Sequence, residues 1–244
     1  MKRFMKLCFV ELKLGFRSLD GLIFGVIMPV GILLLIAMIA GNQQAGNYQY
    51  TYLDSAFASL VAVGICASAF MGIPLTFADY REKKILRHFF VTPCHPMRIF
   101  GAIIVCNIVT SLLCALAVSF VAICFLGYHI QGNIYVFIGM WLLTLMTMYS
   151  IGLLLASLCR SVKMANAMTS LVYFPMLFLS GATIPFELFP EPLQKIAAFL
   201  PLSQGIQFMK SAVMGTAIPL QKIVLFFIIM IVCSMMAVKL LRWE

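Results

Sequence analysis

The feature of this sequence that most constrains its fold is a run of 61 residues, from Ile99 to Cys159, without one Asp, Glu, Lys or Arg. A helix that crosses a bilayer needs roughly 20 apolar residues, so the run is too long for one crossing and fits two. We predict the turn between them at Gly127–Asn133, where glycines and polar residues interrupt the apolar run. The mean hydropathy of the chain is +1.06, and a water-soluble fold of 244 residues cannot bury that much apolar surface. A soluble enzyme, a disordered chain and a fibrous protein are therefore excluded.

Charged residues make up 10% of the chain, against about 25% in soluble domains, and they separate further apolar runs. Together with the uncharged pair, these runs predict six transmembrane helices. The sequence thus predicts an all-α membrane protein that forms a single transmembrane domain over residues 1–244. The four other spans are expected from Gly21 to a loop that starts at Gly41, from Ser55 to Ala78, from Met164 to Thr183, and from Leu220 to Val238.

The first 19 residues are amphipathic. At about 100° per residue, five basic side chains share one arc of a helix. These are Lys2, Arg3, Lys6, Lys13 and Arg17. The pattern is typical of a helix that lies in the membrane interface, so residues 1–19 are expected to contact membrane lipid headgroups. Glu11 projects from the apolar side, where it either pairs with a basic neighbour or water, or contacts a buried partner near the cytoplasmic end of another span.

The net charge of +9 is distributed unevenly between the predicted spans. If the N-terminus lies inside, 14 Lys and Arg residues fall in cytoplasmic segments and three, Lys195, Lys210 and Lys222, fall in outer segments. The positive-inside rule then places both termini in the cytoplasm. We expect a multi-pass protein of the plasma membrane, and we interpret its positive charge as a topology signal, with no nucleic acid as a partner.

The spans lack the residues that several classes of protein need. Their predicted cores contain no ionisable side chain, which disfavours an ion-coupled secondary transporter and an intramembrane hydrolase. None of the 16 glycines is followed by lysine, so the Gly-Lys element of a P-loop is absent. The eight cysteines show no CxxC spacing, and we expect no metal site. The chain is predicted to have no catalytic residue and no cofactor of its own, so another subunit must supply the energy for uphill transport.

The polar segment 79–98 between the second and third spans is the predicted contact site for the subunit that supplies this energy. Its apolar and basic side chains fall on two different faces of a helix. They are Ile85, Leu86, Phe89 and Phe90 on one face, and Arg81, Lys84 and His88 on the other. Thr92, which precedes Pro93, is expected to end this helix. Such a helix suits docking to a soluble partner; alternatively, the segment is a solvated loop that only sets the topology.

Residues 184–219, before the last span, contain five prolines and two short amphipathic patterns. Pro192 suits the first turn of one helix, Ser203 is expected to cap a second helix, and Gly215 to end it. We predict a partly inserted, re-entrant-like helical hairpin on the outer side. In the alternative, the two helices lie flat on the surface.

Five polar side chains of the fifth span fall within one 100° arc. They are Asn166, Thr169, Ser170, Tyr173 and Ser180. Such a polar stripe either lines a translocation path or forms hydrogen bonds between helices. The sequence leaves both possibilities open.

Two groups of motifs resemble those of type-2 ATP-binding-cassette (ABC) exporter permeases. The motifs are Arg81-Glu82-Lys83-Lys84-Ile85-Leu86-Arg87 followed by Val91-Thr92-Pro93, and then Phe178-Leu179-Ser180-Gly181, Pro185, Pro190, Leu193-Gln194, Ile196-Ala197 and Pro201-Leu202. The resemblance covers nearly the whole chain in order. Two positions depart from it: Lys84 stands where the family often has Gly, and Lys210 where it often has Arg.

The resemblance implies that the chain is the transmembrane subunit of an ATP-driven exporter and is not itself an enzyme. A second permease subunit, identical or different, would pair with it, and a cytoplasmic ABC ATPase would bind ATP and Mg. The translocation path would lie between the two permeases. The residues implied in ATPase coupling are Arg81, Glu82, Lys83, Lys84, Leu86, Arg87, Phe89, Thr92 and Pro93.

The cargo is predicted only as a chemical class. The spans offer Phe, Met and small polar side chains without a fixed charge, which suits an amphipathic or hydrophobic cargo such as a drug, a peptide or a lipid-linked molecule. Two alternatives belong to other classes of protein: a membrane scaffold or sensor subunit that transports nothing, and an ion-coupled secondary transporter.

Overall fold

A computed structural model describes residues 2–17, 23–39, 52–85, 96–128, 132–181, 189–216 and 218–240. Throughout these ranges the regular structure is helical. The predicted all-α fold class is therefore confirmed.

The chain begins with α1, which spans Lys2–Arg17. This helix packs along the third span, and Met5 and Phe9 on its outer side are exposed. Lys6 and Lys13 are also exposed. An amphipathic helix with both classes of side chain on its surface suits the boundary between lipid and water.

Five helical runs are long and apolar enough to cross a membrane, among the residues described. They are Leu53–Glu82, Arg98–Leu126, Ile134–Leu158, Val162–Leu179 and Leu220–Leu240. A shorter apolar helix, Gly25–Ile39, occupies the predicted first span. Among the described residues, the six expected spans thus correspond to five helical runs of full length and one shorter helix.

The helices inside these runs have the following bounds. After α1 come α2 (Met28–Ile39), α3 (Tyr52–Ala67), α4 (Ile73–Glu82), α5 (Pro96–Leu126), α6 (Ile134–Leu158), α7 (Val162–Leu179), α8 (Glu191–Phe199), α9 (Pro201–Met214) and α10 (Leu220–Leu240). The predicted turn between α5 and α6 begins at Gly127, which has a φ of +62° that suits glycine.

Two π-helical segments interrupt the first and second spans, and each ends two residues before a proline. The first π segment is Ile23–Ile27, before Pro29, and the second is Ser68–Gly72, before Pro74. A proline has no N–H, and its ring clashes with the carbonyl four residues earlier. That carbonyl belongs to the middle residue of the π segment in both cases, so the wider turn relieves the clash where an α-helix would kink.

The second span lies at the centre of the bundle. Within its apolar window 89% of the residues are buried, against 11% in α10. The span contacts α2, α5, α6, α7 and α9, whereas α10 packs mainly on α6. The largest apolar cluster is accordingly built around α3 and the second π segment.

The predicted hairpin 184–219 contains α8 and α9, and residues 184–188 and 217 lie outside the described residues. Pro192 lies in the first turn of α8 and Gly215 ends α9 with a φ of +71°, as expected. The predicted Ser203 cap is wrong, because α9 already begins at Pro201, whose fixed φ favours the first helical position. α9 is buried against α3 and α6. The depth of the hairpin in the membrane stays a prediction.

The predicted coupling segment 79–98 differs from the structure at its beginning. Residues 79–82 form the last turn of α4, and the helix ends at Glu82, so the loop starts at Lys83. Lys84 has a φ of +55°, in the left-handed region that favours glycine. The predicted coupling residues Leu86, Arg87, Phe89, Thr92 and Pro93 lie outside the described residues.

Candidate functional site

The candidate site lies at one end of the helix bundle, which we call the basic end. It contains the end of α4, the turn 159–161 between α6 and α7, and the start of α5. Basic side chains are exposed after the end of α4, at the start of α5, in the turn and in the first turn of α7. They are Lys83, Lys84, Arg98, Arg160 and Lys163.

Arg81 points inward from the last turn of α4. Its guanidinium donates hydrogen bonds to the carbonyl oxygens of Ala156, at 2.9 Å, and Cys159, at 2.6 Å. The last carbonyls of a helix have no partner within the helix, so the guanidinium caps the C-terminus of α6 and its charge complements the helix dipole. Arg81 thus ties the end of α4 to the end of α6.

Glu82 makes a matching contact with the next helix. Its Oε2 accepts a hydrogen bond at 2.9 Å from the backbone N–H of Val162, the first residue of α7. Ser161 caps the same helix by accepting from the N–H of Met164. A carboxylate at a helix N-terminus is favourable because unpaired N–H groups and the helix dipole attract negative charge there. Glu82 therefore attaches the start of α7 to the end of α4.

The remaining two described residues of the predicted coupling interface are on the surface. Lys83 forms an ion pair with Asp79 one turn earlier, at 2.9 Å, and Lys84 is exposed. Four neighbouring residues therefore have two roles: Arg81 and Glu82 make contacts within the chain, while Lys83 and Lys84 present positive charge outward. Contact of any of them with an ATPase stays a prediction.

A cleft of about 750 Å³ opens beside this region. It is bounded by α1, the first π segment, the second span, α5 and α7. At the basic end it begins at Asp79 and Val162, and it reaches Ser68, which lies about 16 Å along the helix axis from Asp79 at about 1.5 Å per residue. The volume suits a drug-sized ligand.

The cleft contains part of the predicted polar stripe. Asn166, Thr169 and Ser170 line it, whereas Tyr173 and Ser180 are 2% exposed and are packed elsewhere. The hydroxyls of Thr169 and Ser180 donate hydrogen bonds to the carbonyls of Ala165 and Leu177, which belong to the same helix. The stripe is therefore divided between a cleft wall and the protein interior.

Glu11 of α1 lines the same cleft and is 9% exposed. Its Oε1 accepts a hydrogen bond at 2.5 Å from the hydroxyl of Tyr80, near the end of α4. Of the two interpretations of Glu11, the structure favours the contact with another span, made by the half-buried Tyr80. Burial raises the pKa of Glu11, and the hydrogen bond from Tyr80 opposes part of that increase.

The deep end of the cleft is formed by the second π segment and α5. Ser68 shares a hydrogen bond of 2.9 Å with the hydroxyl of Tyr149 from α6, which holds the π segment against that helix. Gly72 lies so close to the side-chain oxygen of Asn107 that a Cβ at this position would overlap it. The glycine thus allows the amide of Asn107 to form part of the wall.

Asn107 and Thr110 of α5 also line the cleft, and neither was among the site residues expected from the sequence. The Asn107 amide and the Thr110 hydroxyl each donate a hydrogen bond to a carbonyl one turn earlier on α5, which satisfies these polar groups within an apolar helix. Their spacing of three positions inside the uncharged run indicates a polar face, and that signal was available. Within the ranges described, no three His, Cys, Asp or Glu side chains come together in a group that would hold a metal.

Comparison with known proteins identifies the family. The profile of the ABC-2 type transporter family matches residues 4–214. Nodulation protein J of Neorhizobium galegae is 30% identical over 200 residues, which cover 81% of this chain and 71% of that protein. The inner membrane transport permease YhhJ of Escherichia coli (strain K12) is 30% identical over 131 residues, which cover 52% of this chain and 34% of YhhJ.

A shorter match joins the chain to nodulation protein J of Rhizobium leguminosarum bv. viciae, at 39% identity over 69 residues, or 27% of that protein. The matched stretches thus span about a third or less of this relative and of YhhJ. The family profile, in contrast, covers the interfacial helix, five of the six apolar segments and the hairpin. The chain, an all-helical multi-pass membrane protein, belongs to the ABC-2 type transporter family as a transmembrane permease subunit.

Proposed function

We propose that the chain is one permease of an ATP-driven exporter that moves an amphipathic or hydrophobic cargo out of the cytoplasm. The family implies an ATP-binding partner subunit, and we place that ATPase, with its ATP and Mg, at the basic end. Both termini would then lie in the cytoplasm and the chain in the plasma membrane, in agreement with the positive-inside rule. A second permease subunit would complete the path, with lipid around both.

The observation that carries the proposal is the short connection between the loop after α4 and the cleft. Glu82 holds the start of α7, and Asn166 and Thr169 of α7 line the cleft one to two turns further on. A displacement of the loop by a bound ATPase would therefore reach the cleft wall through one hydrogen bond and two helical turns. Arg81 adds the same kind of connection to α6.

The proposal is tested by reconstituting the chain with the ATPase with which it co-purifies and measuring ATP hydrolysis and cargo efflux together. Replacing Glu82 by Ala removes the acceptor for the Val162 N–H, so we expect hydrolysis to continue while transport falls at least fivefold. Glu82→Gln keeps an acceptor oxygen and is expected to keep most transport. Polar substitutions at Leu86 and Phe89 are expected to uncouple in the same way as Glu82→Ala. Glu191→Ala, on the exposed surface of α8, is the matched control.

Two results would contradict the proposal. Wild-type transport in the Glu82→Ala variant would show that the α4–α7 connection does not couple the subunits. Failure of the chain to form a stable complex with any nucleotide-binding subunit would remove the ATP-driven function itself.

A further inference from the structure

The cleft at the basic end is negatively charged, although the surrounding chain is positively charged. Among the described residues that line it, Glu11 and Asp79 are the charged ones, and both are acidic. Asp79 is paired with Lys83 at 2.9 Å, which balances its charge. Glu11 accepts a hydrogen bond from the neutral hydroxyl of Tyr80, and no Lys or Arg of the described ranges forms an ion pair with it. The cleft therefore contains one carboxylate whose charge this part of the protein does not balance.

A carboxylate in this position is costly. Glu11 is 9% exposed, and a buried charge destabilises a protein unless it is paired and hydrogen-bonded. A glutamine would accept the same hydrogen bond from Tyr80 without that cost. A positively charged ligand group in the cleft would supply the missing pair.

The other walls of the cleft determine what would accompany that charge. Five of the larger apolar side chains in the lining come from α1, the second span and α5. They are Leu12, Leu14, Met71, Leu75 and Ile103. Neutral polar groups occupy the rest, including Asn107, Thr110 and Asn166. A volume of about 750 Å³ with mixed walls suits one drug-sized amphipathic molecule.

We propose that this cleft binds an organic cation with an apolar body, and that Glu11 is the residue that selects the positive charge. The cationic group would lie against the Glu11 carboxylate at the basic end, and the apolar body against Met71, Leu75 and Ile103. That the bound cation is cargo rests on the proposed transport function. The binding preference itself is a property of this chain.

The test measures binding to the full-length chain in phosphatidylcholine nanodiscs, whose headgroups carry no net charge. The probe is a dansyl-labelled alkyl chain that ends in a trimethylammonium group, and its partner is the same molecule ending in the isosteric, neutral tert-butyl group. We expect the cation to bind wild-type protein at least tenfold more tightly than the neutral molecule. In the Glu11→Gln variant the Kd of the cation should rise about tenfold, while the Kd of the neutral probe should not change. Glu191→Gln, an exposed carboxylate far along the chain, should alter neither value.

A wild-type chain that binds both probes equally would overturn the inference, and so would a cation preference that survives in Glu11→Gln. A thermal melt confirms that the variant is folded, and unchanged binding of the neutral probe confirms that the cleft is intact. ATP-driven efflux of neutral cargo together with equal binding of the probes would refute the cation preference and leave the transport function standing. Glu11-dependent cation binding without ATP-driven efflux would support the site and refute its assignment to cargo.

Discussion

Arg81 is the residue whose removal should most weaken the basic end. Its guanidinium donates to the carbonyls of Ala156 and Cys159 at 2.9 and 2.6 Å. A hydrogen bond to a charged group contributes roughly 1.5–3 kcal/mol, and its loss leaves a helix-end carbonyl without a donor. Because Arg81 is half-buried and water replaces part of the loss, we expect Arg81→Met to lower the free energy of unfolding by about 3 kcal/mol.

The loss is measured by thermal unfolding of the purified chain in detergent, with a dye that becomes fluorescent on reaction with thiols. Cys66 and Cys114 are fully buried and report opening of the core. At about 2–4 °C per kcal/mol for a chain of this size, Arg81→Met should lower Tm by roughly 6–12 °C. In wild type one guanidinium nitrogen donates to both carbonyls. Arg81→Lys keeps the positive charge on a shorter side chain and should lose about half as much. Lys83→Met removes an exposed pair worth about 0.5 kcal/mol and should change Tm by less than about 2 °C.

Equal melting temperatures for Arg81→Met and Lys83→Met would refute the reasoning. That result would mean that the inward contacts of Arg81 contribute no more than a surface ion pair. A full loss in Arg81→Lys would show that the reach and planar geometry of the guanidinium, and not its positive charge alone, stabilise the end of α6.

Three further predictions concern stability. Lys84→Gly should raise Tm by about 1–2 °C, because relief of roughly 1–2 kcal/mol of left-handed strain exceeds the greater chain entropy of glycine, whereas Lys83→Gly should lower it. Gly152→Ala should cost about 2 kcal/mol, since its Cβ would overlap the Ala69 carbonyl, while Gly139→Ala on the same helix meets open space and should be neutral or stabilising in the same melt. Burial raises the pKa of Glu11 above 4.5, so the folded state binds the carboxyl proton more tightly than the unfolded state, and the wild type loses stability as pH rises through the raised value. The Tm of Glu11→Gln relative to wild type should therefore increase from pH 4 to pH 7. A Tm difference that stays constant over this range would contradict the prediction.

The extents of the spans were predictable because lipid imposes a simple rule on sequence. Uncharged runs in lipid must be helical, so the turn at Gly127 and the boundary near Cys159 followed directly. Glu11 also carried its own signal. An acidic side chain on the apolar side of an amphipathic helix either reaches water or a basic neighbour, or contacts another span. The structure shows the contact with another span, through Tyr80.

The contacts at the basic end were not predictable in the same way. Arg81 and Glu82 look like members of an exposed charged cluster, yet their partners lie 75 to 80 positions later in the sequence. Helical periodicity places Tyr173 on the same arc as Asn166, but only the neighbouring helices decide which of them is covered. Long-range packing, which a single sequence does not encode in local spacing, determined both outcomes.

The cleft itself depends on a backbone feature that has a local cause. Pro74 requires relief at the carbonyl of Phe70, and the π turn that provides it contains Ser68 and Gly72, two of the lining residues. An uninterrupted α-helix would rotate all residues before the proline relative to those after it, and would move Ser68 away from Tyr149. The same turn brings Gly72 against Asn107, where the Cβ of any larger residue would overlap the amide oxygen of Asn107. Pro74 thus sets the rotation of the residues before it in the second span relative to those after it. A change at Pro74 would therefore act on the polar lining of the cleft through the backbone, without altering a single lining side chain.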